Sequence, residues 1–230
     1  MANAEELFDK RFRETIHPYG DGIRPEETII ADFAEHLTGG AVLDLGSGDG
    51  RLSRAFALGG NDVTAVDISS EALGQLGIDV QLDGTDEHFT VHKHDLSDSR
   101  GLEELLSGQS FDVILLADTL HLLSEAEARE VLRIANAALD EGEHSGILIR
   151  GPLPSERFQN VKEQGGRAIW SKRELEQAAG SAGLKVGHYN DIDLPPVHPG
   201  GEGQSVFTAV LEKNDLHRRI TDEDLAVTDF

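Results

Sequence analysis

The chain of 230 residues carries 43 Asp and Glu against 20 Lys and Arg, a formal net charge of −23 with histidines neutral, and no cysteine. Disulfides and thiolate chemistry are therefore excluded, and phosphate-rich partners are disfavoured, because contacts to nucleic acid come mainly from Lys and Arg. The length suits one α/β domain with a hydrophobic core. No apolar run approaches the roughly 18 residues of a membrane span, and the N-terminus lacks the basic and apolar segments of a signal peptide, so a cytoplasmic protein is expected.

Residues 1–24 begin with a short helical pattern (Leu7, Phe8, Phe12) and pass into the loop His17-Pro-Tyr-Gly-Asp-Gly22. After Pro25, a natural first helical residue, Ile29, Ile30, Phe33, Ala34 and Leu37 recur at helical spacing. Gly39-Gly40 stops that helix. Ala41-Val-Leu-Asp-Leu45 then reads as a buried strand running into Gly46-Ser-Gly-Asp-Gly50, where the glycines let backbone approach a ligand closely. A helix is expected at once from Arg51 to Leu58. Strand, glycine turn and helix together are the setting that a nucleotide-type loop requires.

Strands and helices alternate from there. Asp62–Asp67 reads as a second strand, with Ser69 or Ser70 capping a helix over Glu71–Leu76. Residues 77–87 read as irregular. Phe89–Asp95 is a third strand, a short helix lies around Leu102–Leu106, and the continuous apolar run Phe111–Leu116 is a strand buried on both faces. Ser124 starts a long helix, Glu125–Leu139; His144–Arg150 is a fifth strand; Ser171 caps a helix over Lys172–Ala182, behind Trp170, read as core packing. Leu184–Tyr189 and Ser205–Leu211 are the last two strands, the second antiparallel, and residues 213–230 are a polar tail. This makes 1–24 an N-terminal lid segment and 25–212 one domain. Its fold class is α/β, a doubly wound, mostly parallel sheet of seven strands. The ligand belongs at the carboxyl ends of the strands, near the topological switch point.

Three carboxylates narrow the ligand. Asp67 ends the second strand, where an acid accepts hydrogen bonds from two ribose hydroxyls. Asp44 sits inside the first strand, where a dinucleotide-binding strand would pack an apolar residue. Asp95 ends the third strand, placed to receive an amino group such as that of adenine. Asp44 and Asp49 would repel a pyrophosphate, and no Gly-Lys-Ser/Thr follows to neutralise a nucleoside triphosphate.

With Val42-Leu-Asp-Leu-Gly-Ser-Gly-Asp-Gly50, Val63-Thr-Ala-Val-Asp67, His94-Asp95 and Phe111-Asp-Val-Ile-Leu-Leu-Ala-Asp118, the chain resembles the class I S-adenosylmethionine-dependent methyltransferases over roughly residues 25–212. The resemblance implies a Rossmann-like sheet and S-adenosylmethionine as methyl donor, S-adenosylhomocysteine being the product. It implies that Asp44, Gly46, Ser47 and Gly48 hold the methionine end, Asp67 the ribose, and Asp95 with Leu96 the adenine, against which Ile68 lies. Asp118 would reach the cofactor's carboxypropyl end or the acceptor. Asn61-Asp-Val-Thr-Ala-Val-Asp67 and Asn190-Asp-Ile-Asp193 are similar to small-molecule methyltransferases of the tellurite-resistance type.

Methyl transfer from an activated sulfonium needs alignment, and a base only where the acceptor carries a proton of high pKa. His121 and Asp118, in the segment facing the methyl group, are the candidates, with His121 the base that suits neutral pH; alternatively His121 packs or caps a helix. His17, Tyr19 and Asp21 lie on the loop that closes over the site in many relatives, and Tyr19 offers cation–π attraction. Arg150 and Arg157 follow the fifth strand, where they either hold an acidic substrate or face solvent. His88, His92 and His94 lack a third fixed ligand, so no metal is expected. A small-molecule acceptor is favoured over RNA or protein, since no Asn-Pro-Pro-Tyr segment or basic appended domain is visible. A cofactor-binding module without turnover is the alternative outside the enzymes, and a nicotinamide oxidoreductase is disfavoured by Asp44. Scarce lysine (Lys10, Lys93, Lys162, Lys172, Lys185, Lys213) within so acidic a chain resembles proteins of salt-loving organisms, where concentrated salt screens self-repulsion.

Overall fold

The computed structural model describes residues 4–15, 17–18, 22–24, 27–142, 145–154, 167–194 and 204–213. In chain order its elements are α1 (Ala4–Glu14), α2 (Thr28–His36), β1 (Ala41–Leu45), α3 (Ser53–Leu58), β2 (Asp62–Asp67), α4 (Ser70–Asp83) and β3 (Phe89–Lys93). There follow α5 (Ser99–Leu106), β4 (Val113–Ala117), α6 (Glu125–Ala138), β5 (Gly146–Pro152), α7 (Lys172–Ser181), β6 (Leu184–Leu194) and β7 (Gln204–Lys213).

The seven strands form one sheet in the order β3-β2-β1-β4-β5-β7-β6. Strands β1 to β5 pair in parallel, and β7 runs antiparallel to both β5 and β6. That is the doubly wound sheet with an antiparallel last strand that the alternation predicts. The order reverses between β1 and β4, so the two crossovers leave opposite faces and a crevice opens at their carboxyl ends.

Burial follows from position in the sheet. In β1 and β4, Val42, Leu43, Leu45 and Val113 to Leu116 are all buried, because helices cover both faces. Leu43, Leu45, Ile114 and Leu116 pack towards α5, α6 and α7, while Val42, Val113 and Leu115 pack towards α2 and α3. Ser124 and Ser171 each start their helix with a reciprocal capping box, to Glu127 and Glu174. Trp170 is core, as expected: it is 1% exposed, and its indole N–H donates to Glu125 at 2.6 Å.

Several boundaries differ from expectation. α4 continues through residues 77–83, which read as irregular, because Ala72, Leu76 and Val80 lie four apart and are buried as a stripe. That burial outweighs Gly74 and Gly77 inside the helix, and Gly84, with φ 69°, ends it. α3 starts at Ser53 rather than Arg51, since the turn from Gly50 takes up Arg51 and Leu52. β5 runs two residues beyond Arg150, and β6 reaches Leu194, paired along its length with β7. Residues 214–230 of the expected tail lie outside the described residues. Among the described residues, no helix is long and apolar enough to cross a membrane.

Candidate active site

A cavity of about 460 Å³ lies at the carboxyl ends of the parallel strands. Asp44, Gly46, Ser47, Gly48, Asp67, Ile68, Asp95, Leu96, Asp118, His121 and Arg150 all line it. Residues from five separate stretches of the sequence therefore meet in one place.

The glycine loop is held by β2. Gly46 and Ser47 N–H groups both donate to the carbonyl of Val66, at 2.8 and 3.0 Å, which turns the loop back over the sheet. Gly46 has φ +79°, and a Cβ there would collide with the Thr119 side chain, so only glycine fits. Gly48 N–H donates to Asp67 Oδ2 at 2.8 Å, and Ser69 N–H to Asp67 Oδ1 at 2.8 Å. Burial raises the Asp67 pKa, and those two bonds only partly offset it. Beneath the loop, burial pushes Asp44 up to about 7, helped by the neighbouring charges of Asp67 and Asp49 and opposed by Ser53 and Arg51. The three acids thus share a low-dielectric pocket in which a positive charge is stabilised. Asp95 is exposed at the rim, its carboxylate held by Ser97 N–H at 2.9 Å, while Leu96 is buried and Ile68 half-buried.

On the far side of β1, Asp118 follows β4 with φ +55°, a left-handed conformation that Asp tolerates better than most residues. Its N–H donates to Arg150 carbonyl at 2.8 Å, and its carboxylate accepts from Arg150 Nη1. Arg150 is therefore neither a solvent-facing charge nor an open anion site. It is 4% exposed, with Nε 3.3 Å from Glu27 Oε1. His121 lies on the 3-10 turn Leu120–Leu122, and its Nδ1 is buried with no hydrogen-bond partner among the described residues. Burial, reinforced by Arg167, lowers its pKa to about 4. The ring is neutral at pH 7 and a weaker base than an ordinary histidine.

Residues 42–142 match the model of a methyltransferase domain. Over that stretch the chain is similar to methyltransferase domains. Among curated proteins, ubiquinone biosynthesis O-methyltransferase of Paraburkholderia phymatum is 36% identical over 83 residues, which is 32% of this chain and 36% of that protein. Ribosomal protein L11 methyltransferase of Bacillus pumilus is 27% identical over 147 residues, 63% of this chain and 42% of that protein. The matches thus span less than half the length of these relatives. Magnesium protoporphyrin IX methyltransferase of Synechocystis PCC 6803, solved with bound S-adenosylhomocysteine, has the same fold, with a TM-score of 0.63 over 90% of this chain and 97% of that one, at 17% identity.

The residues that line the cavity fit such a cofactor. Asp44, Asp49 and Asp67 surround the loop while the adjoining Arg51 guanidinium is bound to Glu27, Gly46 and Gly48 leave room for close approach, and the buried Ser47 hydroxyl has no partner among the described residues. Two expectations about the lid divide. His17 is not among the cavity-lining residues; its Nδ1 lies 3.0 Å from Asp49 and its Nε2 3.8 Å from Asp79, so that it pins the N-terminal segment. Tyr19, Asp21 and Arg157 lie outside the described residues. Instead α1 roofs the cavity with Phe8, Arg11 and Phe12, the Phe12 ring lying over Gly48. Phe8 and Phe12, four apart on a helix, were the signal for this. Glu27 and Arg24 carried none, since Glu26-Glu27 after Pro25 reads as ordinary helix-start charge.

Proposed function

We propose that the protein is a methyltransferase that transfers the methyl group of S-adenosylmethionine to a small-molecule acceptor. The observation that carries this reading is the single cavity, which joins an acidic half over β1 to β3 with an apolar half over β4 to β7. Bound S-adenosylmethionine would supply an activated methyl group on a positively charged sulfur. Asp67 would accept the ribose hydroxyls, Asp95 the adenine amino group, and Leu96 and Ile68 would pack the base. Asp44 and the glycine loop would meet the charged amine end. Arg24, whose backbone joins it to Glu27 and whose side chain lines the cavity, offers a guanidinium to the cofactor carboxylate. The protein's part in the chemistry is alignment and exclusion of water; Asp118 and His121, which line the same cavity, would face the acceptor.

Titration with S-adenosylmethionine, S-adenosylhomocysteine and NAD, followed by calorimetry, tests the cofactor. Binding of both adenosyl compounds and not of NAD is expected; binding of NAD alone would overturn the proposal. A methyl-release assay over a metabolite panel then separates an enzyme from a binding module. A protein acceptor is the second reading, favoured by the relative named for ribosomal protein L11, which matches 63% of this chain. Turnover with a protein and with no metabolite of the panel would select it.

A further inference from the structure

The charge of the cavity is not spread evenly. Asp44, Asp49, Asp67 and Asp95 wall the half over β1, β2 and β3, and α1 roofs that half through its contacts with Ser69, Glu71 and Lys93. Over β4, β5, β7 and β6 the walls are Leu122, Leu123, Pro152, Leu194 and Val206, with His121 among them.

Among the described residues that line this second half, the charged pair Arg150 and Asp118 answer each other. Arg150 donates to Asp118 and lies 3.3 Å from the fully buried Glu27, so its guanidinium is already shared between two carboxylates. An acidic acceptor brought here would lie beside Asp118 and lose its hydration without gaining the Arg150 guanidinium as its counter-ion. A cationic acceptor would compete with Arg150 for Asp118 at the same desolvation cost. An uncharged acceptor gains from every apolar surface it buries against Leu122, Leu123, Pro152, Leu194 and Val206. His121 is the polar group left in this half, and a neutral imidazole exchanges a hydrogen bond with a hydroxyl without any charge to balance.

Resting on the methyltransferase reading above, we propose that the acceptor is an uncharged, largely apolar molecule that is methylated on a hydroxyl group beside His121. In the transfer, the hydroxyl oxygen bonds to the methyl carbon as the carbon–sulfur bond breaks, and the electron pair of that bond stays on sulfur. The hydroxyl proton leaves to solvent water as the new bond forms, with the neutral His121 imidazole orienting the hydroxyl through a hydrogen bond. This assignment removes acidic metabolites from the field, although an arginine in β5 that lines the cavity suggests them.

Three probes that share one ring system separate the charge classes: 2-naphthol, 2-naphthoic acid and 2-(aminomethyl)naphthalene, titrated at pH 7 into protein saturated with S-adenosylhomocysteine. The neutral hydroxyl compound is expected to bind about ten-fold or more tightly than either charged one. Leu122→Asp, at a position 38% exposed and so tolerant of a charge, is expected to weaken 2-naphthol by roughly ten-fold while S-adenosylhomocysteine still binds. Equal or tighter binding of the acid or the amine would overturn the proposal. So would a protein that binds S-adenosylhomocysteine and none of the three, or a Leu122→Asp variant that binds 2-naphthol as before. Failure to bind S-adenosylhomocysteine at all would instead remove the methyltransferase reading beneath it.

Discussion

Glu27 and Arg51 face each other through two hydrogen bonds of 2.7 Å, a bidentate fork in which the carboxylate is fully buried. Arg51 follows directly on Gly50, so this pair ties the start of α2 to the glycine loop. The same arginine donates to Gly22 carbonyl at 2.8 Å, and Arg24 N–H donates to Glu27 at 2.8 Å. Burial pushes the Glu27 carboxyl up, but these donors outweigh it and hold its pKa below the usual carboxylate range. Through Arg150 the network continues to Asp118, and so spans both halves of the cavity.

Glu27→Ala should therefore be costly. It leaves two buried guanidiniums facing each other without the carboxylate they share, a change worth about 3–5 kcal/mol where a buried pair is broken. At about 2–4 °C per kcal/mol for a domain of this size, Tm should fall by roughly 6–20 °C. Glu27→Gln, which keeps the shape, should fall between variant and parent. A Tm within about 2 °C of the parent, by circular dichroism, would show that the pair contributes little.

Asp67 offers a sharper test of ligand binding. Its two oxygens already take Gly48 and Ser69 N–H groups, and each keeps capacity for a further donor. Two hydroxyl bonds to a carboxylate, at about 1.5–3 kcal/mol each, amount to roughly 100-fold or more in affinity. Asp67→Ala should lose that much S-adenosylhomocysteine binding by calorimetry, and unchanged affinity would remove the ribose assignment.

α1 should be the first described element to open. None of its residues is buried, and Leu7 is 60% exposed. It is held by Asp9, which accepts from Ser69 Oγ at 2.7 Å and Glu71 N–H at 3.3 Å, and by half-exposed ion pairs such as Arg13 with Glu71. Such pairs contribute about 0–1 kcal/mol each and weaken in salt. Asp9→Ala should speed amide exchange in α1 by roughly ten-fold, about one cap's worth of free energy, while leaving exchange in β1 unchanged. Equal effects on both elements would mean that α1 unfolds only with the whole domain.

The parts of the site that could be read from sequence are those whose signal is local. Ala41–Gly50 contains both its strand and its turn, and Asp67 and Asp95 each follow a strand recognisable by its own pattern. Phe111–Leu116 announces a central strand by apolar continuity alone, although β4 itself begins at Val113. What escaped depends on neighbours distant in the chain. Glu27 and Arg51 are 24 residues apart, and nothing local to either points to the other. Arg150 reads as a strand-end cation facing an opening, and only the meeting with Asp118 and Glu27 shows that its charge is taken. α4 reads shorter in sequence than it is, since Gly74 and Gly77 weaken locally a helix that packing maintains. His17 reads as a loop histidine, yet two buried acids hold it from below.

Asp44 makes the stability of the ligand-free protein depend on pH in a direction opposite to that of a salt-bridged acid. Its pKa is about 7 in the folded chain against an ordinary 3.8, chiefly through burial. The folded state then binds more protons than the unfolded state between those values, so stability falls as pH rises. The contribution is fully present below about pH 4, declines through the interval, and is gone above about pH 7. Asp44→Asn keeps the volume and cannot ionise, so the difference in Tm between variant and parent should grow in the variant's favour from pH 5 to pH 8. Comparing the two in the same concentrated salt cancels the repulsion that the net charge of −23 adds to both. Binding of S-adenosylmethionine should reverse the trend, because a cationic ligand favours the ionised carboxylate; its affinity for the parent should rise through pH 7 with release of a proton. Calorimetry in buffers of different ionisation enthalpy measures that proton directly. A parent and variant whose Tm profiles run parallel from pH 5 to pH 8, with no proton released on binding, would place the Asp44 carboxyl outside the electrostatics of the site.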